Sequence, residues 1–245
     1  MSIRRARRWS TMPRRSSPPR SAPAVKLMRS QGSHATVRSP TVDTGHTVHV
    51  SARHDHTTIT FGRGIAGEHE LRLCGDLSGG TRALELGVSS ETNALAFAIA
   101  GAKSIAVDPD PTRIEQLRAL AAEHDVRIEC HEAELADLGF ATSGSVELVV
   151  ANHTLGDVDD LGRLLRQVHR VLKPSHPFVI VVDHPFAEVL ERPEASYGST
   201  SRTIGDWFTA LGRANFRVDA LHELGVSDHH RAPTTLVLRA RKEGS

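Results

Sequence analysis

The chain is expected to be an α/β protein built on a largely parallel sheet, and three observations predict this. Short apolar runs recur at 83–86, 105–107, 146–151 and 178–182, the form taken by strands that are buried on both faces. Segments of helical character lie between them, and strand–helix alternation is what parallel crossovers require. The stretch 82–110, RALELGVSSETNALAFAIAGAKSIAVDPD, condenses the pattern into strand, glycine turn, helix and strand, with an acidic residue at the end of each strand.

In that unit Ala83, Leu84 and Leu86 surround Glu85 and end at Gly87, while Ile105, Ala106 and Val107 end at Asp108. The intervening 92–100 is alanine-rich and free of Gly and Pro, which suits a crossover helix. Ligands of open parallel sheets bind beyond the carboxyl ends of the strands. Gly87 stands at the first such end, where the lack of a side chain lets the backbone approach a ligand. Asp108 stands at the second, where a carboxylate accepts hydrogen bonds from both ribose hydroxyls. The unit points to an adenosine-containing cofactor.

Ahead of it, 46–60 mixes polar and β-branched residues and reads as a strand or hairpin on the flank. Residues 67–77 read as a short helix, broken by Gly75, Gly79 and Gly80. After it come a helix at 111–124, opened by Asp110-Pro111, and strands at 126–130 and 146–151. Residues 159–172 place Leu161, Leu164, Leu165, Val168, Val171 and Leu172 on one helical face, a core face, with aspartates at the start and basic residues at the end to suit the dipole. Pro174 stops this helix and FVIVV follows as a central strand. Residues 190–202 are polar, contain Pro193 and Gly198, and are long enough for a lid. A helix at 203–214, in which Trp207 and Phe208 are expected to pack on the sheet, precedes strands at 216–223 and 234–241 joined by a polar turn.

Charge divides the chain. Ten of its 30 basic residues lie in the first 42 positions, which hold no acid, so the rest carries 29 acidic against 20 basic residues. The leader is too rich in Arg, Ser and Pro to bury a core. It is expected to be disordered, and to be a nucleic-acid-binding arm, a transit peptide, a polybasic membrane contact, or an extension ahead of a true start at Met12 or Met28. The flank is assigned to 43–66 and the main domain to 67–245. The acidic domain argues against nucleic acid unless the leader supplies the phosphate contacts. No run approaches the ~20 apolar residues of a spanning helix, and Cys74 and Cys130 make neither a disulfide framework nor a zinc signature. A soluble, cytoplasmic protein is expected. HDH at 54–56 and DHH at 228–230 lack the spacing of a metal site, so no metal is expected.

Taken in order, RALELG, AVDPD, SVELVVANHTLGDVDD, LLRQVHRVLKP and FVIVVDHP resemble the class I S-adenosylmethionine-dependent methyltransferases, especially their small-molecule branch, over residues 67–241. The resemblance implies a Rossmann-like sheet of seven strands, mostly parallel, with helices on both faces and an antiparallel C-terminal strand. It implies S-adenosylmethionine as cofactor and a small-molecule methyl acceptor. By position, Glu85 and Gly87 resemble the segment lining the methionine moiety, and Asp108 the acceptor of the ribose hydroxyls. Glu134 resembles the acidic group near the adenine amine, with Leu135 beside the ring, and Asn152 and His153 the edge of the cofactor and substrate cleft.

The family's glycine-rich turn is altered: its second and third glycines are Ser89 and Glu91, and the two glycines that often follow RVLKP are Ser175 and His176. Ser89 or Ser90 is expected to cap the following helix, with Glu91 in its first turn. A carboxylate there would repel a pyrophosphate, which disfavours a nicotinamide-dependent oxidoreductase. A non-catalytic binding protein on the same fold is the main alternative to an enzyme. His153, Asp183 and His184, just beyond the fourth and fifth strands, are the candidates for taking a proton from the acceptor.

Overall fold

The computed structural model describes residues 57–156, 158–192, 194–227 and 231–244. The basic leader, most of the expected hairpin at 46–60, and both histidine-rich triplets lie outside the described residues. Among the described residues seven strands form one sheet: β1 (Arg82–Leu86), β2 (Lys103–Asp108), β3 (Ile128–Glu132), β4 (Leu148–Asn152), β5 (Pro177–Asp183), β6 (Phe216–Leu224) and β7 (Thr235–Lys242). Their order is β3-β2-β1-β4-β5-β7-β6. The first five run parallel, and β7 enters antiparallel between β5 and β6. The mostly parallel sheet with an antiparallel C-terminal strand is therefore present. The strand order reverses between β1 and β4, which is where such a sheet opens a crevice for a ligand.

Among the described residues six helices accompany the strands: α1 (Glu68–Leu71), α2 (Asn93–Ile99), α3 (Pro111–Glu123), α4 (Leu161–Val171), α5 (Pro185–Glu191) and α6 (Ile204–Arg213). Side chains alternate between the faces of a strand, and that alternation divides the core. Leu84, Leu86, Val149, Ala151, Phe178 and Ile180 pack with Leu164, Leu165 and Val168 of α4 and Trp207 and Leu211 of α6. Ala83, Leu148, Val150, Val179 and Val181 pack on the other face with Phe97 of α2 and with Phe61, Leu73 and Leu77 from the segment before β1.

Several boundaries differ from expectation. The helix expected over 67–77 is the single turn α1, because Arg72 takes the left-handed conformation directly after it. Strand β3 starts two residues later than expected, since Val126 is used to close α3, its amide donating to the Ala121 carbonyl. Helix α5, unexpected from sequence, occupies the start of the expected lid; its first turn follows His184, whose Nδ1 accepts the Phe186 amide at 3.2 Å. Trp207 is buried as expected, whereas Phe208 is 45 % exposed and does not pack on the sheet. None of the helices among the described residues is long and apolar enough to cross a membrane. No cluster of three or more metal-ligating side chains occurs among those residues.

Candidate active site

Glu85 sits in the middle of β1 on the face that carries Ala83, and that face lies under α2. Its carboxylate is wholly buried and accepts from the amides of Ser89 (3.4 Å), Asn93 (3.2 Å) and Ala94 (2.8 Å) and from the Ser89 hydroxyl (3.1 Å). The first amides of α2 are thus met by a strand carboxylate rather than by Ser89 or Ser90 as caps. Glu91 lies before the helix, not in its first turn. Glu85 fixes the turn from beneath and is not among the residues that line the two cavities described below.

Burial pushes the Glu85 carboxyl up to about 7, against the pull of the four donors. With the folded pKa above the unfolded one, this group's contribution to stability is fully present below about 4.5 and is lost as pH rises through about 7. Glu85→Gln is therefore expected to lose that dependence. The wild type's advantage in melting temperature over the variant should shrink between pH 4.5 and 7, read by thermal scans at a series of pH values. A constant difference across that range would remove the claim.

Asp108 ends β2 on the face of Ala106 and is 2 % exposed. Its Oδ2 accepts the Val88 amide at 2.7 Å and its Oδ1 the Asp110 amide at 2.8 Å. The half-exposed Arg113 guanidinium lies over it, Nη1 3.6 Å from Oδ2. Gly87 adopts φ +82, and the Thr154 side chain fills the space where a Cβ would stand. Thr154 itself is held by its hydroxyl, which donates to the Leu86 carbonyl at 2.5 Å.

A cleft of about 580 Å³ opens at the switch point, within the size range of small-molecule sites. Its walls are the turn Val88, Ser89, Ser90, Glu91 and Thr92, the α3 residues Arg113, Gln116, Leu117 and Leu120, and Asn152, His153 and Thr154 after β4. Asn152 is fully buried, and among the described residues its Oδ1 accepts no hydrogen bond. Glu134 and Leu135 are not part of this wall; Glu134 is exposed, and Leu135 packs on the α4 side of the core. Arg113 was missed from the sequence, where it reads as one more basic residue of an exposed helix.

A second cavity, of about 450 Å³, lies beyond β5 and contains Asp183, Glu191, Arg192, Ser201, Arg202 and Trp207. His153 lines both cavities. It stands in the left-handed region at φ +56, a strain of about 1–2 kcal/mol for a residue with a Cβ. Its Nδ1 lies 2.9 Å from Asp183 Oδ1 and its Nε2 3.3 Å from the Phe61 carbonyl oxygen. Burial lowers its pKa, but the hydrogen bond and charge of Asp183, the Phe61 carbonyl and the Glu91 charge together outweigh this and the net shift is upward; the contact with His153 lowers Asp183. His184 is 3 % exposed with both ring nitrogens engaged, Nδ1 by the Phe186 amide and Nε2 by Glu223 at 2.9 Å. Its two bonds brace α5 against β6.

Residues 84–180 match a family model described as a methyltransferase domain. By structure the chain is similar to an S-adenosylmethionine-dependent methyltransferase from Mesorhizobium loti, with 22 % identity over 70 % of this chain and 94 % of that one and a TM-score of 0.57. It is similar also to one from Methanosarcina mazei, with 18 % identity, 69 % and 96 % coverage and a TM-score of 0.59. A third is the geranyl diphosphate C-methyltransferase of Streptomyces coelicolor in complex with Mg2+, geranyl diphosphate and S-adenosyl-L-homocysteine, with 12 % identity, 72 % and 79 % coverage and a TM-score of 0.58. No curated protein matches the chain by sequence.

Proposed function

We propose that this chain is a class I S-adenosylmethionine-dependent methyltransferase and that it transfers a methyl group from S-adenosylmethionine to a small molecule held in its second cavity. The observation that carries the reading is the meeting of the two cavities at one ring, His153. The residues of the first cleft fit the cofactor: the buried Asn152 Oδ1 offers an unused acceptor, and each Asp108 oxygen has a lone pair beyond the one given to a main-chain amide. Asp108 would hold the ribose hydroxyls once the Arg113 side chain moves aside. Gly87 and Ser89 would border the methionine end, with Asn152 at the cleft edge.

The cofactor supplies a methyl on a sulfonium, a good leaving group. The protein's work is then alignment of the acceptor and management of its proton. His153 is the residue placed to receive that proton, with Asp183 orienting the ring through Nδ1 and stabilising its positive charge. His184 is 3 % exposed and its ring is held between the Phe186 amide and Glu223, so it is assigned to holding α5. Glu134 and Leu135 stand outside the cleft wall and are given no cofactor contact.

Calorimetric titration of the full chain should show S-adenosylmethionine and S-adenosylhomocysteine binding with micromolar dissociation constants and NADH not binding. On an identified acceptor, His153→Gln should lower kcat on the order of 10²-fold. His184→Ala should act on thermal stability and leave kcat within a few-fold. Unchanged turnover in His153→Gln would overturn its role. The altered turn, with Ser89 and Glu91 in place of glycines and Glu91 accepting the Thr60 hydroxyl, favours a second reading, a ligand-binding protein without turnover. Cofactor binding with no methyl transferred to any acceptor would favour it.

A further inference from the structure

The segment ahead of α1 is built into the site. The Thr60 main chain pairs with the Asn93 side chain through both of its polar groups: the amide donates to Oδ1 at 3.1 Å and the carbonyl accepts from Nδ2 at 3.0 Å. The same carbonyl accepts from Asn152 Nδ2 at 3.3 Å, and the Thr60 hydroxyl donates to Glu91 Oε2 at 2.6 Å. On one side the Ile59 carbonyl accepts the Glu68 amide at 3.2 Å; on the other the Phe61 ring is wholly buried. Three of the residues gripping this segment, Asn93, Asn152 and Glu91, belong to the turn-and-cleft region, and Glu91 occupies the place of the third glycine of the family's turn.

The Phe61 carbonyl is what meets His153 Nε2. A carbonyl oxygen only accepts, as does the Asp183 carboxylate at Nδ1. The neutral ring carries one N–H and satisfies one of the two, leaving the other nitrogen's lone pair against an oxygen; the imidazolium, with two N–H groups, satisfies both. We propose that residues 59–61 are a strap that sets the charge of His153: seated, it holds the ring as the cation between Phe61 and Asp183, and lifted, it returns Nε2 to the cavities as a proton acceptor. Thr60 is thus a positioning residue for the proton-transfer step. The inference rests on His153 as the group that handles the acceptor's proton.

The charges around the ring agree with this assignment. Asp183 of β5 and Glu91 of the turn favour the cation and raise its pKa. Glu191, Arg192 and Arg202 line the second cavity with it. Arg202 is committed elsewhere, donating to the carbonyls of Leu155 (3.1 Å), Gly156 (3.0 Å) and Val158. Because the His153 pKa is raised in the folded state, its stabilisation of the seated strap is fully present below the ordinary value of 6.5 and is lost as pH rises through the raised one.

Titration of the histidine rings by NMR in the full chain tests the idea, with His153 identified by the signal missing in His153→Gln. Wild-type His153 should titrate above 6.5. Asn93→Ala removes two bonds to the strap and Thr60→Val removes the hydroxyl bond to Glu91. Either should speed hydrogen exchange at the Thr60 and Glu68 amides and weaken proton binding at His153 by at least about threefold, half a pKa unit. The pH profile of methyl transfer should move to lower pH with it. The double variant serves where one substitution leaves the strap seated. Faster exchange with an unmoved His153 midpoint would overturn the proposal, as would a wild-type midpoint at or below 6.5 or a double variant with unchanged exchange. Asp183→Asn should lower the midpoint whatever the strap does. The readout needs neither cofactor nor acceptor, so a failure to bind S-adenosylmethionine would count against the proposed function alone.

Discussion

Gly87→Ala should lower the melting temperature by roughly 5–15 °C, from a destabilisation of about 2–4 kcal/mol, and reduce methyl-donor binding at least tenfold. Two independent costs act there. At φ +82 a Cβ is strained wherever it has room. Here it has none, since it would stand 2.5 Å from Thr154 Cβ, 2.7 Å from Cγ2 and 2.9 Å from Oγ1. Thr154 is not a flexible side chain that yields, because its hydroxyl is tied to the Leu86 carbonyl and it forms part of the cleft wall. The collision must push apart the two loops that border the first cleft, those after β1 and β4. A double-mutant cycle separates the costs: Thr154→Gly in the Gly87→Ala background should recover the collision energy and leave the backbone strain. Full additivity of the two substitutions would show that Thr154 is not what the new methyl meets.

A glycine at the end of β1 was legible in the sequence as room for a ligand, whereas the space its missing side chain leaves is filled by Thr154. The changes at the second and third glycines were less legible. Ser89 reads as a helix cap, yet its amide and hydroxyl both donate to Glu85, and the β-branched Thr92 takes the left-handed conformation, φ +48, just ahead of α2. Only the three-dimensional course of β1 shows that an odd-numbered strand residue lies beneath the helix start and does the capping. Glu91 reads as a charge facing a ligand; its bond to Thr60 reaches back 31 residues, to a segment whose own pattern carried little signal. The parallel strands were legible because apolar runs between helices have few other uses. Helix α5 was not, since His184-Pro185 reads as the end of a strand and the buried imidazole cap has no sequence signature.

Removing the Asp108 carboxylate tests both halves of the cofactor proposal, because the two oxygens that accept the turn's amides are the ones proposed to hold the ligand. In Asp108→Ala the Val88 and Asp110 amides lose their acceptors at a site 2 % exposed, a cost of about 1–3 kcal/mol for each unmet donor. Affinity for S-adenosylmethionine should fall by on the order of 10²-fold, since hydrogen bonds to a charged acceptor contribute about 1.5–3 kcal/mol. Loss of binding alone would leave open a general collapse of the turn, and Arg113 supplies the control. Its guanidinium screens Asp108 at 3.6 Å while its own side chain is 54 % exposed, so the fold depends on it little. Arg113→Ala should therefore leave the melting temperature within about 1–2 °C and tighten S-adenosylmethionine binding by a few-fold. Opposite signs at two side chains in contact would place the ribose on Asp108 rather than on the turn at large. Weaker binding in both variants would mean that Arg113 itself holds the ligand, and the second, non-catalytic reading would then need a ligand with an anionic group.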